Sequence, residues 1–244
     1  MKISKLDFKL DIDKTQDEIE QTRIKLDKLI NSEDFSSAAI DEFEKQVEQI
    51  NEILFKLNTN NRTDPNTWLE KSTSLKQVGN TLIQVANKYQ ESLSKNLLQQ
   101  IEYIALWFYG TAKQYKIHAF TKQTLEPSEE DVIQLLKLVT DFVTHHWETH
   151  SEEILEREET ALDIAEAIKL EMLDKISSRT EEVIHQLITI TLSAADKVRL
   201  KKLKDSAKSV DEITDWMINT PGWQGDDLEY CLEIVKNSRV QAEF

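Results

Sequence analysis

Ile40-Asp-Glu-Phe-Glu-Lys-Gln-Val-Glu-Gln-Ile-Asn-Glu-Ile-Leu-Phe-Lys-Leu57 is the stretch whose reading decides the fold. Ile40, Phe43, Val47, Ile50, Leu54 and Leu57 recur at alternating spacings of three and four, the a/d seam of a coiled coil. Glu44, Lys45, Glu48 and Gln49 lie between them and suit a wetted face. Upstream, Ile12, Ile19 and Leu26 repeat every seven residues, and Leu29 and Ile30 complete a second stripe. Two such helices separated by a short break at Asn31–Ser37 most simply fold back on each other. A seam left exposed could equally pair between chains, and Ile50 and Leu54 are then its partner-binding positions.

Composition extends this helical reading to the whole chain. Four glycines and three prolines make about 3 % of 244 residues, where about 12 % is ordinary. Sheet proteins spend these residues on turns, so their scarcity predicts long helices with few connections. Neither a dinucleotide-type glycine fingerprint nor a phosphate-binding glycine loop occurs. A net charge of −15 opposes binding to a nucleic-acid backbone. The single Cys231 excludes a disulfide framework and a multi-cysteine zinc site. No apolar run reaches spanning length and no signal-peptide core opens the chain, so a soluble, cytoplasmic protein is expected.

Asn58 to Thr67 reads as a linker, ending in Asp64-Pro65, an N-cap followed by proline at the first helical position. Three regions follow: a helical hairpin over 1–58, a long-helix bundle over 65–208 and a docking-type tail over 209–244. In the second, Leu75, Val78, Leu82, Val85, Tyr89, Leu93, Leu97, Ile101, Ile104 and Phe108 form one continuous seam. Unbroken from Ser72 to His118, that helix would be about 70 Å long, with Gly79 and Gly110 as weak points and Gly110 the expected kink. Ser128 to Asp131 resembles a capping box opening a helix that would run from Glu129 to about Ile176. A second box, Ser178 to Glu181, opens a shorter one. The predicted architecture is an all-α, elongated helical bundle with a coiled-coil-like N-terminal hairpin.

His145, His146 and His150 invite a metal reading. His146 and His150 share one helical face, Glu153 lies a turn further on, and Glu182-Val-Ile-His185 matches the Glu-x-x-His unit of carboxylate-bridged di-iron bundles. Such bundles use that unit twice and need further glutamates. The chain has it once, so the plainer expectation is that these histidines are satisfied within a helix seam, with no metal or cofactor. Tyr103-Ile-Ala-Leu-Trp-Phe-Tyr109 and much of Val183–Ala195 are apolar on all sides and are expected in the core. Between Glu126 and Asp174 fifteen acidic residues face three basic ones, whereas Lys197–Lys208 carries six basic residues and one acid. These runs are solvated faces or complementary docking surfaces.

The tail contains Asp215-Trp-Met-Ile-Asn-Thr-Pro-Gly-Trp-Gln-Gly-Asp-Asp-Leu-Glu229, then Arg239 and a closing Glu243-Phe244. Over about 30 residues it resembles the toxin-binding tails of some bacterial antitoxins. That resemblance implies partner-anchoring roles for Trp216, Trp223, Arg239 and Phe244. The small DNA-binding N-terminus usual in such antitoxins has no counterpart in this chain. The alternative is that both tryptophans cap the end of the bundle core. With no catalytic constellation in the sequence, the expected function is a non-enzymatic scaffold, adaptor or regulatory subunit. It would bind a protein partner or a second copy rather than a membrane, a nucleic acid or a small-molecule substrate. An antitoxin-like or immunity-like inhibitor and a metal-carboxylate bundle enzyme are the alternatives. If Trp223 anchors a partner, Trp223→Ala removes about 2 kcal/mol or more of binding, about thirtyfold, with little change in melting temperature. A core tryptophan would instead lose about 3–5 kcal/mol of stability with capture unchanged. Calorimetry and partner capture on the one variant distinguish the two.

Overall fold

A computed structural model describes residues 10–30, 37–59, 63–123, 128–155 and 177–206. These form an all-α helical bundle, and no strand occurs among the described residues. The helices are α1 (Ile12–Ile30), α2 (Ser37–Thr59), α3 (Pro65–Lys88), α4 (Lys95–Gln123), α5 (Glu129–His146) and α6 (Ser178–Ser206). None is long and apolar enough to cross a membrane, among the described residues. The chain divides into two compact units between Ala194 and Ala195, a point within α6.

The helix starts follow their local chemistry. Asp64 caps α3, its carboxylate accepting from the Asn66 and Thr67 amides, both at 3.1 Å, and from the Thr67 hydroxyl at 2.6 Å. These bonds satisfy amides that a helix N-terminus otherwise leaves unpaired. Ser128 and Asp131 form a reciprocal capping box on α5, with bonds of 3.2 and 2.9 Å. At α6 the helix opens on Ser178, and the Glu181 amide donates to the Ser177 carbonyl at 3.0 Å.

The expected 70 Å helix is not formed. It breaks at Tyr89–Ser94, and α3 and α4 lie against each other as the most extensive helix pair among the described residues. The Tyr89 amide ends α3 on the Val85 carbonyl (3.1 Å), and the Ser94 hydroxyl accepts the Leu97 amide to start α4 (3.2 Å). Ser92, Ser94 and Asn96 favour such local bonds over a continuing helix. Folding back lets the two halves of the seam face each other, whereas a single rod would leave its apolar side without a partner. Leu75, Val78, Leu82, Val85, Leu93, Leu97, Ile101 and Phe108 are all buried in one cluster.

The two glycines serve this packing rather than a kink. Gly79 lies under the Tyr109 ring, where an added Cβ would meet Cε1 at 2.8 Å. Gly110 is buried midway along an uninterrupted α4, directly beneath the His150 imidazole. The second expected long helix is interrupted too. α5 ends at His146, a turn follows at 147–150, and a short helical segment occupies 151–155. The expected continuation through residues 156–176 lies outside the described residues.

α1 and α2 pack against each other, and the Asn51 amide donates to the Asp27 carboxylate at 3.0 Å. Their seams do not form a separate core: Ile19, Leu26, Val47, Ile50, Leu54 and Leu57 belong to the same buried cluster as α3 and α4. Ile50 and Leu54, the seam positions proposed to bind a partner, are 1 % and 0 % exposed within this chain. Leu54→Ala should therefore lower the unfolding free energy by about 2–5 kcal/mol. Urea unfolding followed by circular dichroism measures this, and a change below about 0.5 kcal/mol would mark the seam as a surface feature.

Candidate functional site

The C-terminal half of α4 is buried nearly all round, and the last residue of α5 and the turn after it set two histidines onto it. The four-residue spacing puts His146 and His150 on one face, both buried, while His145 points outward and its Nδ1 lies 2.9 Å from the Asp141 carbonyl. Trp107 stacks on the His150 ring, centroids 5.7 Å apart and planes 12° from parallel. Phe142 lies edge-on to His150 at 5.6 Å and stacked on His146 at 6.0 Å. A Lys113–Asp141 ion pair at 2.6 Å ties α4 to α5 beside this cluster.

Threonine hydroxyls occupy both His150 ring nitrogens. Nε2 lies 3.1 Å from the Thr111 hydroxyl, which also lies 3.1 Å from the Trp107 carbonyl. Nδ1 lies 2.9 Å from the Thr149 hydroxyl, which also lies 3.3 Å from the His146 carbonyl. A neutral imidazole, donating through one nitrogen and accepting through the other, satisfies both contacts in either tautomer. The His146 ring bonds the Leu106 carbonyl, and its buried Nδ1 has no partner among the described residues.

This arrangement does not assemble the metal set considered from sequence. The two imidazole planes stand 86° apart with centroids at 6.0 Å. Glu182 and His185 are exposed on α6, where Glu182 accepts from Gln186 at 3.5 Å. No group of three or more His, Cys, Asp or Glu side chains suited to a metal ion occurs among the described residues. The tail candidates Trp216, Trp223, Arg239 and Phe244 lie outside the described residues.

A second buried polar cluster sits between α3 and α4. Trp68 packs on His118 at 4.3 Å, and the Lys71 ammonium lies 5.9 Å from the centre of the Tyr115 ring. Burial pushes Lys71 below its ordinary value and Tyr115 up to about 12. The contact with the ring's negative face offsets part of the cost of burying that ammonium.

Beside the histidine cluster a cleft opens between α1 and α4. Its first part, of about 300 Å³, is lined by Glu18, Thr22, Tyr103, Trp107, Glu152 and Glu153. Its second, of about 660 Å³, continues past Lys25, Lys28, Asn96 and Gln100. Lys25, Tyr103 and Ile104 line both parts. Lys14 bridges Glu18 at 3.8 Å and Glu152 at 3.6 Å at one end. Tyr103 and Leu106 are 49 % and 43 % exposed, which corrects the expectation that the apolar run 103–109 is wholly core. Ile104, Ala105 and Phe108 fill the core, and the remaining faces of the helix look outward. Sequence reasoning missed Tyr103 and Trp107 as surface candidates because an all-apolar run carries no mark of which face is covered. Comparison with known proteins gives no match: no protein-family model, curated protein or solved structure corresponds to the chain.

The buried histidines make folding pH-dependent. Burial, helped by the Lys113 and His145 charges and opposed by Asp141 and the Leu106 carbonyl, drives His146 down to about 4. Burial, with His146 adding to it, drives His150 down to about 3. An unfolded imidazole takes its proton near 6.5, so below that pH the unfolded state binds more protons and stability falls as pH falls. Each histidine contributes a slope of about 1.4 kcal/mol per pH unit down to its folded value, and the pair loses up to about 4 kcal/mol between pH 8 and 5. Urea unfolding across that range measures the loss, and His146→Phe should remove about half of it. An unchanged slope in that variant would contradict the assignment.

Proposed function

We infer that this chain is a non-enzymatic helical interaction protein whose docking face is the cleft between α1 and α4. The observation that carries the reading is the half-exposed Tyr103 beside Trp107 in a cleft whose floor is the bundle core. Tyrosine and tryptophan supply large contact areas at low entropic cost and are enriched where binding energy concentrates. Trp107 is already held in place by its stack on His150, so little ordering remains for a partner to impose.

A scaffold, adaptor or regulatory subunit of the cytoplasm fits this reading, with a protein partner or a second copy as its ligand. Ile24 and Phe55 add exposed apolar area on α1 and α2, with Phe55 69 % exposed. The overall charge of −15 favours partners that present a basic surface. The tail sequence around Trp223 and Arg239 supports a second reading, an antitoxin-like inhibitor that anchors its target through that segment.

Tyr103→Ala should weaken partner capture by about tenfold or more, corresponding to about 1.4 kcal/mol, while helicity and melting temperature stay near those of the native chain. A photo-crosslinking residue at position 103, compared with one at exposed Gln84 on α3, identifies the partner. Equal capture by Tyr103→Ala and the native chain would overturn the choice of docking face.

A further inference from the structure

The two parts of the cleft differ in charge along its length. Glu18, Glu152 and Glu153 line one end, with Lys14 bridging two of them, Lys28 lines the other, and Lys25 borders both parts. Glu18, Gln21, Lys25 and Lys28 recur every three or four residues on α1, so they share one face. Asn96, Gln100, Tyr103 and Trp107 do the same on α4. Glu18 and Trp107 line one end while Leu29 and Leu97 line the other, so the two helices run antiparallel along the cleft. From Glu18 to Leu29 its length is about 16 Å at 1.5 Å per helical residue.

The lining is rich in amides and hydroxyls, beside the glutamates and beside the lysines alike. Gln21, Asn96, Gln99 and Gln100 each offer both a donor and an acceptor, and Thr22 adds a hydroxyl. Such groups match a peptide backbone whose own N–H and C=O groups are unpaired. A docked helix has already spent those groups internally and would leave the amides without partners. Tyr103 and Ile104, common to both parts, provide the apolar contact at the centre.

Resting on the docking reading above, we propose that the cleft receives an extended segment of a partner protein. The segment carries a basic side chain at one end, an acidic side chain at the other and an apolar side chain between them. At about 3.3 Å per extended residue, 16 Å separates the two charged side chains by about five residues. The basic group lies at the Glu18, Glu152 and Glu153 end, and the acidic group lies near Lys25 and Lys28. Opposed charges fix the direction of the bound segment and reject segments of uniform charge.

Four blocked six-residue peptides with a central Leu test this on the full chain. They carry Arg first and Glu last, Glu first and Arg last, Arg at both ends, or Glu at both ends. The readout is the NMR shifts of Tyr103 and Trp107 in protein with labelled aromatic rings. One of the two mixed peptides should saturate and bind about tenfold more tightly than either uniform peptide. The double variant K28E/E152K leaves Lys25 against the new carboxylate at one end, and Glu18 and Glu153 against Lys14 and the new ammonium at the other, so it should bind the two mixed peptides about equally. Both positions are exposed, and the Lys14–Glu152 ion pair that the variant breaks lies at the surface, with little weight for folding. Unchanged circular dichroism confirms the variant's fold.

Uniform peptides that bind as well as mixed ones, or no shift with any peptide, would overturn the proposal. Loss of partner capture in Tyr103→Ala with no peptide binding keeps the docking face and overturns only the dipolar occupant. Mixed-peptide binding at the cleft with undiminished capture supports the occupant's chemistry and overturns the cleft as the capture site.

Discussion

The close approach of α4 to its neighbours on both sides is the constraint from which the other features follow. Gly79 lets α3 come in beneath Tyr109, and Gly110 lets the turn after α5 set His150 against the α4 backbone. Neither position tolerates a side chain without a shift of its aromatic neighbour. Once His150 is seated, its two nitrogens bind Thr111 and Thr149, and its face supports Trp107. The orientation of Trp107 in the cleft is thus set by a residue that itself lies inside the fold.

A consequence is that the cleft is bordered by helices anchored in the core. One wall is α1, which packs into the common core through Ile19 and Leu26, and the other is α4, whose far side is filled. Residues 149–153 close one end, beside the exposed Lys14–Glu152 ion pair. On the proposed docking reading, such a preformed surface would need no building on binding.

Much of the fold was legible in the residues, and the failures have identifiable causes. The Asp64-Pro65 and Ser128–Asp131 helix starts read correctly because a cap is a local hydrogen-bond pattern that distant packing rarely overrides. The seam from Leu75 to Phe108 correctly named buried residues apart from the partly buried Tyr89, but its period runs through the turn at 89–94 without a missed beat. Periodicity reports which side chains are apolar. It does not report whether the chain doubles back to pair them. The weak signal lay in Ser92, Ser94 and Asn96, residues that bond their own backbone, and it was outweighed by the two glycines. Those glycines looked like kinks because their role depends on Tyr109 and His150, which are about 30 and 40 residues away. The face shared by His146 and His150 followed from their spacing. Their neutral, threonine-bound state depends on Thr111 from another helix, and the cleft depends on α1 meeting α4, so neither was visible locally.

The turn at 89–94 also bears on how the chain reaches its native state. The most extensive helix pairing among the described residues joins segments separated by only six residues, so its contacts close a short loop and cost little entropy. Proteins dominated by such near-neighbour pairings fold quickly, because their largest gain comes before any distant segment must be found. The α3–α4 pair is the natural early structure, and α1, α2 and α5 have a preformed surface on which to condense. During synthesis, this pair can close as soon as residue 123 has left the ribosome, before the acidic C-terminal half of the chain is complete.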